Sequence, residues 1–173
     1  MAEVNATAAA LLGLLREGPL SGYDAARTAQ EVLGDFWTIT RSQVYRELAS
    51  MAERGFVQAE ETGARDRQPY SLTDEGEQAF LDWMHATPGP DVVRIPLLLR
   101  LAFIDALEPE HLAALLEDQR AQHERRLASY EELAHALEED STPPRELATL
   151  RFGLRYEQAV LAWFDDLDVD EPG

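Results

Sequence analysis

Cysteine and lysine are both absent from this 173-residue chain. Without cysteine there is no disulfide, no thiolate metal site and no cysteine nucleophile, which fits a reducing compartment. Without lysine, all 15 basic residues are arginine; they face 33 acidic ones, for a formal net charge of −18. Taken over the whole chain, this balance argues against a polyanionic partner, because affinity for nucleic acid comes largely from basic side chains that neutralise phosphates. Long hydrophobic runs are missing too. Ile95–Leu99 is broken by Arg100 and is far too short to span a membrane. The opening stretch MAEVNATAAALLGLLREG has no basic region ahead of its apolar residues, so no signal peptide is read and a cytoplasmic protein is expected.

Catalytic signatures are equally scarce. No G-x-S-x-G, H-E-x-x-H, Walker loop or dinucleotide fingerprint occurs. Paired acids such as Glu131-Glu132 and Asp165-Asp166 point apart on a helix and read as solvated faces. His111, His123 and His135 recur every twelve residues. On one helix each such step is about 18 Å along the axis and about 120° around it, so no two of them meet at one ion within a chain. The sequence therefore predicts no enzyme activity, no cofactor and no metal.

What is present divides at Ala86-Thr87-Pro88-Gly89-Pro90-Asp91, a cluster of breakers. Two domains are expected, residues 1–86 and 92–168. Residues 1–86 hold 7 arginines against 14 acids, and residues 87–173 hold 8 against 19, so the acid excess is heavier in the second half.

The first half reads helix, helix, helix, hairpin, helix. A helix over about 6–16 is stopped by Gly18-Pro19. Ser21 caps a second helix that ends at Gly34. Thr40-Arg41-Ser42-Gln43 matches a capping box and opens a third helix, which ends at Gly55. Segments 56–60 and 68–72 read as a hairpin around the polar loop 61–67. Pro69 cannot donate a ladder bond, so its strand is expected at a sheet edge or bulged. Thr73 caps a helix to about His85. The second half reads as three helices, about 93–107, 109–139 and a last one to about 167. The long middle helix carries a stripe of Leu112, Leu115, Leu116, Leu127, Tyr130, Leu133, Ala134 and Leu137, and a stripe of that length calls for another helix or subunit.

Three helices followed by a hairpin is the order of a winged helix-turn-helix, in which the third helix reads DNA. At about 100° per residue, Val44, Leu48 and Met51 face the core, and Ser42, Arg46, Ala49 and Ser50 face away. Arg41 and Gln43 flank the exposed first turn, and Tyr45 lies nearer the core boundary. Arginine bonds guanine bidentately and glutamine does the same to adenine. Arg65 and Arg67 stand at the hairpin tip, within reach of a neighbouring groove or phosphates. The charge objection weakens when charge is counted locally: residues 41–67 hold five arginines against five acids, and acids farther off are screened over about 8 Å at physiological salt.

At these residues the chain resembles a known family. ALLGLLREGPLSGYDAARTAQ, TRSQVYRELASMAERGFVQAEE and YSLTDEG, in that order, are similar to the PadR family of bacterial transcriptional regulators. The run RIPLLLRLAFIDALEPEHLAALLEDQRAQHERRLASYEEL resembles the AphA-like helical C-terminal domain of that family's longer members. The resemblance implies a homodimer held by its C-terminal helices, a palindromic double-stranded DNA operator, and commonly a repressor released by a small effector. By position it implies that Tyr23, Ser42, Gln43, Tyr45 and Arg46 face DNA beside the Arg65–Arg67 wing.

The expected fold is thus mainly α: an N-terminal winged helix-turn-helix with a two-stranded wing, followed by a three-helix dimerisation domain. The expected DNA-binding residues are Tyr23, Arg41, Ser42, Gln43, Tyr45, Arg46, Arg65 and Arg67. Leu112, Leu116, Leu127, Tyr130, Leu161, Trp163 and Phe164 are the expected dimerisation residues. The competing reading is a winged-helix protein-interaction module that does not bind DNA, favoured by the net charge.

Overall fold

The structure is a computed structural model, described here for residues 4–33, 37–61, 68–90, 92–139, 143 and 147–167. The chain forms two compact units, residues 1–90 and 91–173. No helix among the described residues is long and apolar enough to cross a membrane.

The first unit is built from α1 (Ala6–Leu15), β1 (Leu20–Ser21), α2 (Gly22–Leu33), α3 (Arg41–Glu53), β2 (Val57–Ala59), β3 (Pro69–Leu72) and α4 (Asp74–His85). Asn5 caps α1 through a 2.8 Å bond from the Ala8 N–H. The helix is Ala- and Leu-rich because it is central: Ala8, Ala9, Leu11 and Leu12 are wholly buried. Around it pack Ala25 and Ala26 of α2, Val44, Leu48 and Met51 of α3, and Val57 of β2. Each large apolar side chain removed from water here contributes about 1.5–3 kcal/mol.

The sheet differs from the expected hairpin. It has three antiparallel strands in the order β1-β3-β2, so β3 is the middle strand. Pro69 therefore does not lie in an edge strand. It is tolerated because it is the first residue of β3, a position open to proline. Its carbonyl still accepts from the Glu60 N–H at 2.9 Å. β1 is the additional strand, pairing Leu20 with Tyr70 and Ser21 with Pro69.

Gly55, with φ of 76°, takes the left-handed conformation that ends α3. The Gly55 N–H bonds the Ala52 carbonyl and the Phe56 N–H bonds the Met51 carbonyl at 2.9 Å, which is the Schellman pattern. Thr73 caps α4, accepting from the Gly76 N–H at 3.0 Å, and its hydroxyl lies 2.7 Å from the Gly55 carbonyl oxygen. The Thr73 N–H donates to the Phe56 carbonyl at 3.2 Å. The end of α3 and the start of α4 thus share one corner.

The second unit holds α5 (Pro96–Leu101), a short 3-10 turn (Ile104–Ala106), α6 (Pro109–Glu139) and α7 (Ala148–Asp165). The single helix expected over 93–107 is shorter and broken. Proline restricts the residue before it, and Ile95 is extended with φ −111° and ψ 106°; Phe103 then leaves the helical region before the 3-10 turn. α6 runs for 31 residues, about 46 Å.

Helices α6 and α7 pack antiparallel. Arg120 bonds Asp165 at 2.6 Å, His123 and Arg126 both hold Glu157, and the Tyr130 ring lies against Gly153. Glu157 is 1% exposed. Its Oε1 accepts from Arg126 at 3.1 Å, and its Oε2 bonds His123 Nδ1. The His123 ring also tilts against Phe164. The remaining two histidines of the twelve-residue series each face a carboxylate, His111 at Glu108 and His135 at Glu139. Asp165, and after it Glu124, hold the exposed Arg120 guanidinium above its ordinary pKa by hydrogen bonding.

This packing covers the residues expected at the dimer interface, on α6 and α7, to differing extents. Leu112 and Phe164 are buried within their own chain, and Leu116, Leu127, Tyr130, Leu161 and Trp163 are half-buried in it. The stripe of α6 thus has a helix partner in α7 within its own chain. The large apolar side chains left in water in this unit are Val92, Val93, Leu98, Leu99, Phe103, Leu133, Phe152 and Tyr156, of which Leu133 belongs to the α6 stripe.

Candidate nucleic-acid interface

The third helix carries two chemically distinct faces. Val44, Leu48 and Met51 are 0% exposed, while Arg41, Ser42, Tyr45, Arg46 and Ala49 are exposed. The 3.6-residue period that buries the first set necessarily presents the second. Glu47 stands between them, and the Asn5 side chain at the start of α1 donates to its carboxylate at 3.3 Å. The one acid near the middle of this helix is thus drawn towards α1.

The helix begins in a complete capping box. Thr40 accepts from the Gln43 N–H, and the Gln43 side-chain oxygen accepts from the Thr40 N–H at 2.8 Å. The Thr40 hydroxyl also reaches Gln43 Oε1 at 2.8 Å and Ser42 Oγ at 3.1 Å. The amide oxygen of Gln43 is therefore committed to the cap. Bidentate adenine recognition needs both the oxygen and the nitrogen of that amide, so Gln43 meets a base through Nε2 alone unless the cap opens.

Helix α2 supplies the other wall. Ser21 caps it, with the Asp24 N–H on Ser21 Oγ at 3.2 Å and the hydroxyl donating to Asp24 Oδ2 at 2.6 Å. Tyr23 is exposed, and the Arg41 guanidinium lies over its ring, 5.2 Å from the centroid. A cation over an aromatic face is held by the ring quadrupole. Arg46 has no hydrogen-bonding or ionic partner among the described residues and projects from the exposed face. The structure thus brings Tyr23, Arg41, Ser42, Tyr45 and Arg46 to one side of the α2–α3 pair, with Gln43 turned into the cap. Arg65 and Arg67 lie outside the described residues. Among the described residues no cluster of three or more His, Asp or Glu side chains is placed to hold a metal.

Sequence reasoning missed Gly22 at this site. A Cβ on Gly22 would lie 2.4 Å from Tyr45 Cε1, so the tyrosine ring rests on the bare α2 backbone. The signal available was the glycine itself, placed at the start of a helix where alanine is the better former.

Comparison with known proteins covers both units. Residues 11–82 match the model of the transcriptional regulator PadR-like family, and residues 93–168 match the virulence activator alpha C-terminal family. The negative transcriptional regulator PadR of Bacillus subtilis is 32% identical over 169 residues, 91% of this chain and 93% of its own. The crystal structure of that protein in complex with operator DNA superposes with a TM-score of 0.77 at 29% identity, covering 94% of this chain and 97% of the other. Its complex with p-coumaric acid gives 0.69 at 29% identity, covering 92% and 90%. With an exposed reading helix, a capped helix-turn-helix and matches along both units, the chain belongs to the PadR-like family of transcriptional regulators.

Proposed function

We propose that this regulator is a homodimeric repressor that reads a palindromic DNA operator through α3 and is released by a small effector. The exposed face of α3, opposite the wholly buried Val44, Leu48 and Met51, carries the reading. The operator complex and the p-coumaric acid complex of the Bacillus subtilis relative support a DNA partner and a small-molecule partner of the same kinds. Residues 1–86 form the DNA-reading domain and residues 92–168 the dimerisation domain, acting in the cytoplasm where the DNA lies. Arg46 is the base reader, suited to a guanine edge. Arg41, held on Tyr23, is a phosphate or groove contact, with Ser42, Tyr45 and the Gln43 amide nitrogen around it. Arg65 and Arg67, in the sequence between β2 and β3, are assigned further DNA contacts by the family resemblance.

The dimer rests on the exposed apolar residues of the second unit, at 74% for Val92, 75% for Val93, 64% for Leu99, 67% for Phe103 and 63% for Phe152. Phe152 and Tyr156 stack with centroids 6.4 Å apart, and this amount of exposed apolar side chain suits a protein interface. Light scattering at low micromolar concentration is expected to give a dimer; a stable monomer overturns the architecture.

The DNA reading is tested by selecting a duplex from a randomised double-stranded DNA pool with the purified protein and measuring its binding by gel shift. Arg46→Ala is expected to weaken that duplex about 10- to 100-fold and relax the preference at one base pair. Arg41→Ala is expected to weaken all sequences alike and reduce the salt slope by about one. Failure of the wild-type protein to enrich any sequence at low or moderate salt leaves the protein-interaction module as the reading.

A further inference from the structure

We propose that the first turn of α2 is a template for the reading face of α3, with Gly22 as the positioning residue that seats Tyr45. This rests on the DNA reading above and names a residue that touches no DNA. Two adjacent α2 residues each hold one α3 side chain. Gly22 carries the Tyr45 ring, whose Cε1, Cδ1 and Cζ atoms all come within 2.4–2.9 Å of where a Cβ would stand. Tyr23 carries the Arg41 guanidinium. Arg41 and Tyr45 are one helical turn apart, so the neighbouring seats on α2 match neighbouring positions on one face of α3.

No other feature of the backbone asks for glycine at this position. Among the described residues, positive φ occurs at Gly18 and Gly55 and not at Gly22, and alanine would favour the helix. Tyr45 remains 52% exposed, so its own burial does not fix it; contact with the glycine does. A side chain held before binding loses less freedom on binding, and that saving appears as affinity.

Gly22→Ala is expected to keep the wild-type circular dichroism spectrum and melting temperature while weakening the selected duplex about five- to tenfold. In a Tyr45→Ala background the same substitution is expected to cost nothing further, because the ring it displaces is gone. A purely structural role predicts a lowered melting temperature or an equal loss in both backgrounds, and either result overturns the proposal, as does unchanged affinity of Gly22→Ala. A second measurement leaves Gly22 intact. The Gly22 Hα resonance of the wild-type protein is expected upfield under the Tyr45 ring and to return towards its ordinary position in Tyr45→Leu; no upfield shift overturns the seat. If the wild-type protein enriches no DNA sequence, the DNA reading fails and the template role with it, while the Hα shift still decides whether the seat exists.

Discussion

Glu157→Ala is expected to destabilise the second unit by about 3 kcal/mol, read as a fall of about 10–20 °C in its melting transition. The carboxylate is 1% exposed and is the shared partner of His123 and Arg126, whose side chains are 15% and 31% exposed. Removing one member of a buried ion pair costs about 3–5 kcal/mol because its partner, here Arg126, loses its counter-charge without regaining water, and His123 loses its hydrogen-bond partner as well. Arg126 is exposed enough to turn outwards, which places the expected loss at the lower end. His123, hemmed in by Phe164, has less room to do so. Thermal and urea unfolding followed by circular dichroism, at one fixed protein concentration, check the figure, since any self-association would make stability concentration-dependent.

A companion variant separates two roles of this cluster. Replacing Glu157, His123 and Arg126 together by leucine is expected to recover most of the loss, because replacing a buried ion pair and its polar partners together by apolar residues is often neutral or stabilising. Full recovery with altered dimerisation assigns the cluster to fixing the register of α6 on α7. A triple variant as unstable as Glu157→Ala assigns it to stability itself.

The same cluster marks where sequence reading stopped. The apolar stripe of α6 skips from Leu116 to Leu127, and His123 sits in that gap on the packed face. A polar residue on an apolar stripe signals a buried partner, but the partner is 34 residues away on α7, and no local pattern names it. β1 escaped for a similar reason. Two residues have no periodicity, and Leu20–Ser21 is a strand only because β3 offers it an edge. The helices and caps of the first unit were largely legible because their determinants are local: Ser21, Thr40 and Thr73, each read as a cap, bond an N–H three positions on, as does Asn5, which the sequence reading passed over. The motifs carrying the family resemblance resolve into separate physical tasks. In Ser21-Gly22-Tyr23 the residues cap the helix, seat Tyr45 and hold Arg41. In Val44-Tyr45-Arg46-Glu47-Leu48 two residues are buried, two face outward and Glu47 answers Asn5. The sequence called for another helix or subunit against the α6 stripe; that α7 is that helix was not legible, because it depends on which helix returns along α6.

Gly76, the last residue of Leu72-Thr73-Asp74-Glu75-Gly76, is the site of the second large effect. A Cβ at Gly76 would stand 2.0 Å from the Phe56 carbonyl oxygen and 2.8 Å from Leu72 Cδ1. The obstacle is backbone, so no rotamer change relieves it. That carbonyl also accepts from the Thr73 N–H, and Thr73 in turn caps α4 through the Gly76 N–H. Gly76→Ala must therefore lift α4 from the α3–β2 corner and loosen the cap together, with Ala79 and Phe80 drawn away from the core they pack against. The expected cost is about 3 kcal/mol, the upper end for overpacked sites, or about 10–20 °C in the melting of the first unit. Gly13→Ala is the matched control. Its Cβ would meet only the Phe80 ring, at 3.2 Å, a side chain able to give way, and the gain in helix propensity of up to about 1 kcal/mol offsets the crowding. Differential scanning calorimetry is expected to show Gly13→Ala near the wild-type transition and Gly76→Ala far below it. Equal melting of the two would mean that the Phe56 carbonyl does not hold α4 in place. Because the same corner ends α3, Gly76→Ala is also expected to weaken the selected DNA duplex, although Gly76 lies on α4 and not on the reading helix.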